Sequence, residues 1–404
     1  MSEDPRKIRI EAYNYPLSEE RIAKYPLAER DQSKLLHYRQ GEISEHTFKD
    51  LPQLIDGKSL LVFNDTKVIH ARLRFRKATG AMIEVFCLEP YGQTHIEAFE
   101  QRERCRWKCF IGNNKKWKEE PLHIMYTVSG QEAILTAQRR EAVGDAWIVD
   151  FEWTGGHSFA EVIDAAGVIP LPPYLHREAE KDDNERYQTV YAEHEGSVAA
   201  PTAGLHFTDQ VFEALKQKGV ETEFITLDVG AGTFKPVSSE TIGEHEMHVE
   251  RVHISQKNIE HILQHGTENI IAVGTTTVRT LESLYWFGIK LLTGSRQEEM
   301  EVEQWDPYTL DDNGHTAAEA LQAVERWMKD KEIDLLEGTT RLLIAPGYRY
   351  HVIKKLITNF HQPQSTLLLL VSALIGEEWK RCYRYALEHG FRFLSYGDSC
   401  LFEP

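Results

Sequence analysis

Four short loops in the second half of the chain combine small residues with hydroxyl, imidazole or amide side chains. The first runs from Gly196 through Thr202 and Gly204 to His206 and Thr208, and has almost no side-chain bulk ahead of His206. Feeding a helix that begins at Thr208, such a loop lets a ligand approach backbone N–H groups and the positive end of the helix. A tight structural turn around a hydrogen-bonded histidine is the alternative. The second loop, Asp228-Val-Gly230-Ala-Gly232-Thr233, follows a strand and exposes backbone at two glycines. It lacks a third glycine and a following helix, which excludes a dinucleotide fingerprint and leaves a glycine bend as the plain alternative. The third, Gly274-Thr275-Thr276-Thr277-Val-Arg279, reads as strand, hydroxyl-rich turn and helix. Threonines at a helix start can bind a carboxylate or phosphate, and Arg279 could clamp one with its planar fork, or the threonines simply cap the helix. This loop carries no Gly-Lys-Ser/Thr element, so it is not a P-loop. In the fourth, Ser365 is explained as the cap of the apolar helix after it, leaving Asn359 and His361 for function. His245, His248 and Glu250 add two imidazoles and a carboxylate close together. Only two of these donors would face one way on an extended chain, so acid–base work suits them better than a metal, and no metal site is expected.

A different chemistry is suggested by residues 102–118, where Arg102, Arg104, Arg106, Lys108, Lys115, Lys116 and Lys118 stand against the single acid Glu103. Between 102 and 108 the cations recur with period two, which puts them on one face of a strand, with Trp107, Phe110 and Trp117 as nearby stacking surfaces. That pattern suits a surface tracking RNA phosphates; a solvated strand face is the plainer reading. The net charge of −17 excludes indiscriminate binding to polyanions, so any nucleic acid must meet a local patch.

These candidates need a scaffold. A chain of 404 residues, 41% hydrophobic, implies a globular protein of two domains or one domain with an insertion. No apolar run approaches the ~18–20 residues of a membrane span, and the N-terminus lacks the features of a signal peptide, so a cytoplasmic protein is expected. Five cysteines spread through the chain fit reduced thiols. Ser18 is placed as the cap of a short helix stopped at Tyr25-Pro26, and the run from Leu60 to Phe63 predicts a buried strand ending at Asn64-Asp65-Thr66. Residues 71–150 alternate in short segments separated by glycine turns, which predicts an inserted antiparallel barrel or sandwich. Beyond it, helical patterns over 159–166, 208–218, 256–264 and 278–287 alternate with strands over 223–229 and 270–274, the signature of an α/β unit. Residues 288–340 read as a peripheral insertion, acidic and then helical from a Thr316/Glu319 capping box. Strand character returns at 341–345 and at 391–398. The expected plan is therefore a main α/β unit from 1–70 and 151–404, interrupted by a small β domain over 71–150.

The blocks starting at Phe63 (Phe-Asn-Asp-Thr-Lys-Val-Ile), Ala200 (Ala-Pro-Thr-Ala-Gly-Leu-His-Phe-Thr), Val229, His245, Gly274, Pro346, Thr358 (Thr-Asn-Phe-His-x-Pro-x-Ser-Thr-Leu) and Ser395 resemble, in order, the S-adenosylmethionine:tRNA ribosyltransferase-isomerases of queuosine biosynthesis. The resemblance spans nearly the whole chain. It implies a distorted α/β barrel-like main domain with an inserted small antiparallel β-barrel domain. It also implies transfer of the ribosyl part of S-adenosylmethionine to the aminomethyl group of a 7-deazaguanine at the tRNA wobble position, with adenine and methionine released. The implied partners are S-adenosylmethionine, as substrate rather than cofactor, and a tRNA with a GUN anticodon, met by a monomer. Such chemistry needs an acid for departing adenine and bases for the sulfonium-activated carbon and the attacking amine. His206, His361, His245, His248 and Glu250 are the candidates. Arg279 or the Thr275 and Thr276 turn would hold the methionine carboxylate; Asp65, Asp228 or Asp398 would meet a ribose hydroxyl or the sulfonium; Thr202, Gly204, Gly230, Gly232 and Asn359 would line the pocket. Arg102, Arg104, Arg106, Lys108, Lys115 and Lys116 would meet tRNA. Asp228 stands where the family commonly has histidine, His70 where proline is common, and the stretch from Leu292 to Thr340 is longer than expected. These departures keep open a same-fold enzyme acting on another nucleoside; a tRNA-binding protein without catalysis is the third reading.

Overall fold

The structure, a computed structural model, describes residues 4–230, 237 and 239–404. Its organising strand is Leu60–Asn64, buried along its whole length. Leu60 and Val62 point into one core with Ile270, Ala272 and Leu356. Leu61 and Phe63 point into another with Ile271, Val273 and Ile357. Burial on both faces is what a continuous apolar run dictates for a central parallel strand. Its neighbours Glu221–Asp228 and Ile270–Val273 are both parallel to it, and Lys355–Asn359 continues the parallel set beyond Ile270–Val273. These four strands are the middle of a ten-stranded mixed sheet. Glu250–Ser255, Leu335–Thr340 and Met300–Val302 extend one side, and Ser399–Glu403, Lys34–Arg39 and Glu42–Thr47 the other.

One face is covered by the helix Thr275–Leu292, through Val278, Leu281, Leu284 and Tyr285, and the other by Phe48, Phe207, Val211 and Leu215. The helix Asp209–Gln217 starts where Thr208 accepts a hydrogen bond from the Val211 N–H at 3.3 Å, and Thr366–Ile375 is capped in the same way by Ser365. Deep in the first core, the Glu282 carboxylate accepts from Tyr348 Oη at 2.7 Å and from the N–H groups of His351, Val352 and Ile353. That clamp ties the loop from Tyr348 to the long helix.

The inserted unit is a seven-stranded sheet from Arg72–Arg76 to Ala146–Trp153, antiparallel throughout and completed by Gly167–Val168. The edge strand Leu122–Val128 returns beside Arg72–Arg76 without a ladder between them, so the sheet is curled. Its core includes Trp107, Phe151 and the helical residues Phe159, Val162 and Ile163, so this packing unit runs past Asp150.

Several segments differ from expectation. Among the described residues the main unit is an open ten-stranded sheet with two edges rather than a barrel. Residues 288–340 are integral to it: two of their strands join the sheet, and Ala320, Leu321, Val324 and Met328 pack in the main core. Gly288 permits this approach, since a Cβ there would lie 2.3 Å from the Ala320 carbonyl oxygen. The strand expected at 341–345 ends at Thr340; beyond it Arg341 and Leu343 donate irregularly to Val302 and Gln304. Residues 391–398 form a tight loop, because Asp398 accepts from the Arg392 N–H at 2.8 Å and Gly397 is packed on the Phe393 backbone. The last strand therefore starts at Ser399. The Ser18 segment is a 3-10 turn, Glu19–Arg21, without a side-chain cap. All five cysteines are buried free thiols, and among the described residues no helix is long and apolar enough to cross a membrane.

Candidate functional site

Asp228, Asn64, Val273 and Asn359 all end their parallel strands on one edge of the sheet, and the loops after three of these strands wall a common cleft. In open α/β sheets ligands bind outside such carboxyl ends. The cleft, about 870 Å³ including its open mouth, is lined by Ala199–Ala203, Val229, Gly274–Thr276, Thr358–Gln362 and Leu394–Ser395, with Tyr174 and Tyr187. The four loops singled out by residue type thus converge, although they are separated by up to about 160 residues of chain. Thr202, Thr275, Thr276, Asn359 and His361 face the same space.

The polar groups at this edge are incompletely satisfied. Gly274 turns the chain into the long helix with φ +93°, a conformation that favours glycine, and no side chain caps the first turn. Thr277 folds back onto the Val273 carbonyl at 2.8 Å, whereas the buried Thr276 hydroxyl has no hydrogen-bond partner among the described residues. One turn on, Arg279 is buried and its Nη1 lies 2.6 Å from the Glu250 carboxylate, while Nε and Nη2 lack hydrogen-bond partners among the described residues. Asn359 donates through Nδ2 to His206 Nε2 at 3.1 Å; its Oδ1 is buried and accepts nothing among the described residues. Leaving a buried polar atom unmet costs about 1–3 kcal/mol, so a cluster of them at one cleft points to a ligand.

His206 sits behind the cleft rather than in it, in a small cavity with Arg30, Ser33 and Arg392. Its Nδ1 lies 2.9 Å from Ser33 Oγ and its Nε2 is held by Asn359, so both ring nitrogens are committed to the protein. Burial, aided by the cations of Arg392 and Arg30, lowers its pKa to about 3. Proton transfer to substrate by His206 would require one of these bonds to break. His361 does line the cleft; Nε2 is 2.9 Å from Thr358 Oγ1, and burial again lowers its pKa to about 3. Glu250, expected as an acid or base, is the ion-pair partner of Arg279. His245 is half-buried and His248 exposed, and neither lines the cleft.

The three aspartates also differ from their expected places. Asp65 accepts from Thr226 Oγ1 at 2.6 Å and lies 3.2 Å from His194 Nδ1. With Glu193 these two form the one group of potential metal ligands among the described residues, outside the cleft. Asp228 is shared by Thr66 and His253, whose Nε2 is 3.2 Å away. Burial opposes the His253 charge, but Asp228 and Glu337 outweigh it and raise the pKa. An imidazole thus stands against position 228 from the neighbouring strand. Asp398 closes its own loop through the Lys34 and Arg392 N–H groups. Gly204 serves packing, since a Cβ would fall 1.8 Å from the Tyr191 hydroxyl. Gly230 follows the cleft residue Val229 with open space at its Cβ position, and Gly232 lies outside the described residues.

On the curled sheet, Arg104, Arg106 and Lys108 alternate outward as the spacing predicts. Arg106 pairs with Asp150 at 2.9 Å, Lys108 with Glu89 at 2.9 Å, and Arg102 donates to the Gly156 carbonyl. Lys115 and Lys116 lie on the turn beyond this strand and are exposed. Trp107 and Trp117, expected as stacking surfaces, are buried in the core, Trp107 because the residues between outward cations on the strand point inward.

Residue-type reasoning missed Tyr174, Tyr187 and Ser395. The Tyr174 hydroxyl bonds Ser395 Oγ, and Asp183 fixes their neighbourhood through a two-pronged ion pair with Arg177 and a 2.8 Å bond from Tyr396. The proline-rich run Pro170–Pro173 ahead of Tyr174 was the available signal, marking a rigid turn that carries an aromatic ring.

A cleft of this kind, outside parallel strand ends and lined by unmet polar atoms, defines an α/β protein with a small-molecule site. The model of the family described as "Queuosine biosynthesis protein" matches residues 10–402, and the chain belongs to that family. It is 37% identical over 399 residues to the S-adenosylmethionine:tRNA ribosyltransferase-isomerase of Pelobacter propionicus, covering 98% of this chain and 99% of the relative. The Brucella ovis protein of the same name is 38% identical over 409 residues, with 98% of each covered. The crystal structure of an S-adenosylmethionine tRNA ribosyltransferase from Thermotoga maritima matches 96% of this chain and 99% of that one, at 26% identity and a TM-score of 0.45.

Proposed function

We propose that this protein is an S-adenosylmethionine:tRNA ribosyltransferase-isomerase. It moves the ribosyl part of S-adenosylmethionine onto the aminomethyl group of a 7-deazaguanine at the wobble position of a GUN-anticodon tRNA, giving epoxyqueuosine and releasing adenine and methionine. Membership of the family supports the reaction. The observation that carries the site is the convergence of the Ala199, Gly274 and Thr358 loops on one cleft whose buried Asn359 and Thr276 atoms lack partners among the described residues, with Arg279 buried one turn further along the helix. Arg279 Nε and Nη2, with the uncapped helix start at Thr275 and Thr276, suit the methionine carboxylate, and Glu250 orients the guanidinium. His361 is held neutral at pH 7 by burial and so meets the cleft as an uncharged imidazole. S-adenosylmethionine is consumed as a substrate and no cofactor is needed; the protein works as a cytoplasmic monomer.

The test is incubation of the protein with S-adenosylmethionine and an anticodon stem-loop carrying the aminomethyl-deazaguanine, followed by mass spectrometry. Free adenine and a modified nucleoside in equal amounts are expected. Adenine release without nucleoside modification, or neither, would overturn the proposal.

A further inference from the structure

Ser33, His206 and Asn359 form a buried chain that ends at the cleft. Only Asn359 touches the cleft; His206 and Ser33 lie behind it. The Asn359 Nδ2 amide, which can only donate, faces His206 Nε2 at 3.1 Å, so Nε2 accepts and the imidazole proton sits on Nδ1, 2.9 Å from Ser33 Oγ. Asn359 Oδ1 is then the atom left without a partner among the described residues. Around it the cleft is mainly apolar, lined by Tyr174, Tyr187, Ala199, Ala200 and Ala203. Such walls accept the faces of a planar ring, and one acceptor at the edge sets its orientation.

We propose that Ser33 and His206 are positioning residues that hold the Asn359 carboxamide so that Oδ1 accepts a hydrogen bond from an N–H group on the edge of a planar base, making the cleft select an amino edge over an oxo edge. The inference rests on the function given above for the identity of the bases. Two sources share this chemistry: the exocyclic amine of adenine in S-adenosylmethionine, and the amino edge of the deazaguanine. A site built to accept a hydrogen bond discriminates strongly against a ligand that cannot donate one, because the acceptor is then left buried and unmet.

Calorimetric binding to the full chain tests this independently of turnover. The probes are S-adenosylmethionine, its analogue with the 6-amino group replaced by oxo, the free aminomethyl-deazaguanine nucleoside, and the same nucleoside lacking its 2-amino group. The wild type is expected to prefer the amino form of one pair by on the order of 100-fold. Asn359→Leu should bring that ratio to within about threefold. His206→Leu should do the same although residue 206 does not line the cleft, and His206→Gln, which again offers an acceptor to Asn359, should restore most of it; Ser33→Ala should lower it in part. Which pair responds identifies the base. Indifference of the wild type to both pairs, or an unchanged ratio in His206→Leu with an intact thermal transition, would overturn the inference. If His206→Leu fails to fold, the pair Ser33→Ala and His206→Gln decides: a ratio unmoved by Ser33→Ala, or lost in His206→Gln, overturns it. Normal amino selection with no adenine release would overturn the assigned reaction instead and leave this inference standing.

Discussion

At the carboxyl edge of the ten-stranded sheet, buried polar atoms stand without partners, whereas on the basic strand of the curled sheet exposed cations have found theirs. Asn359 Oδ1, Thr276 Oγ1 and two nitrogens of Arg279 remain unmet among the described residues, at a cost in stability. Arg106 and Lys108 reach Asp150 and Glu89 from the surface, where ion pairs contribute little. Flexible surface cations pair with whatever acid is near, whereas a buried unmet atom persists only where something else compensates for it.

The comparison breaks first at Arg279. Arg279→Leu should abolish adenine release and, by leaving Glu250 buried without its guanidinium, lower unfolding free energy by about 3–5 kcal/mol. Denaturant melts and single-turnover assays measure the two losses; a fully stable and active variant would show that the ion pair is dispensable.

A second test uses pH. His206 and His361 stay neutral when folded, their pKa values lowered to about 3 by burial, while in the unfolded chain they take up protons below about pH 6.5. The unfolded state then binds more protons, so stability should fall progressively as pH drops from about 6.5 toward 3. His206→Gln should flatten that slope by roughly one proton's worth. An identical pH dependence in wild type and variant would mean that the imidazole is not held neutral.

The smallest effect is expected on the curled sheet. Converting Arg104, Arg106 and Lys108 together to Glu should weaken tRNA binding by less than about tenfold and reduce its salt slope by about one to two, because two of the three cations are already paired. S-adenosylmethionine affinity should be unchanged. A loss of a thousandfold would show that tRNA displaces Asp150 and Glu89 and uses the whole strand.

Much of this architecture was legible from local pattern. The continuous apolar run at Leu60 specified a strand buried on both faces, the Thr316/Glu319 capping box specified its helix, and alternation over 71–150 specified an antiparallel sheet. Patterns that depend on distant backbone were not legible. The apolar segment 341–345 looks like a strand but is denied regular pairing, and Phe391–Asp398 is folded into a loop by one carboxylate and one crowded glycine.

The same division holds at the site. Sequence alone picked out the loops that line the cleft, since small residues ahead of hydroxyls, an amide and imidazoles are local properties of the chain, and their order identified the family. Only the tertiary structure decided what each side chain does. It joined His206 to Asn359, paired Glu250 with Arg279, and set Asp65, Asp228 and Asp398 against protein groups. The physical reason is that a side chain's role is set by its partners and its burial. Those come from strands joined side by side in space, such as Lys355–Asn359 and Ile270–Val273, and not from neighbours along the chain.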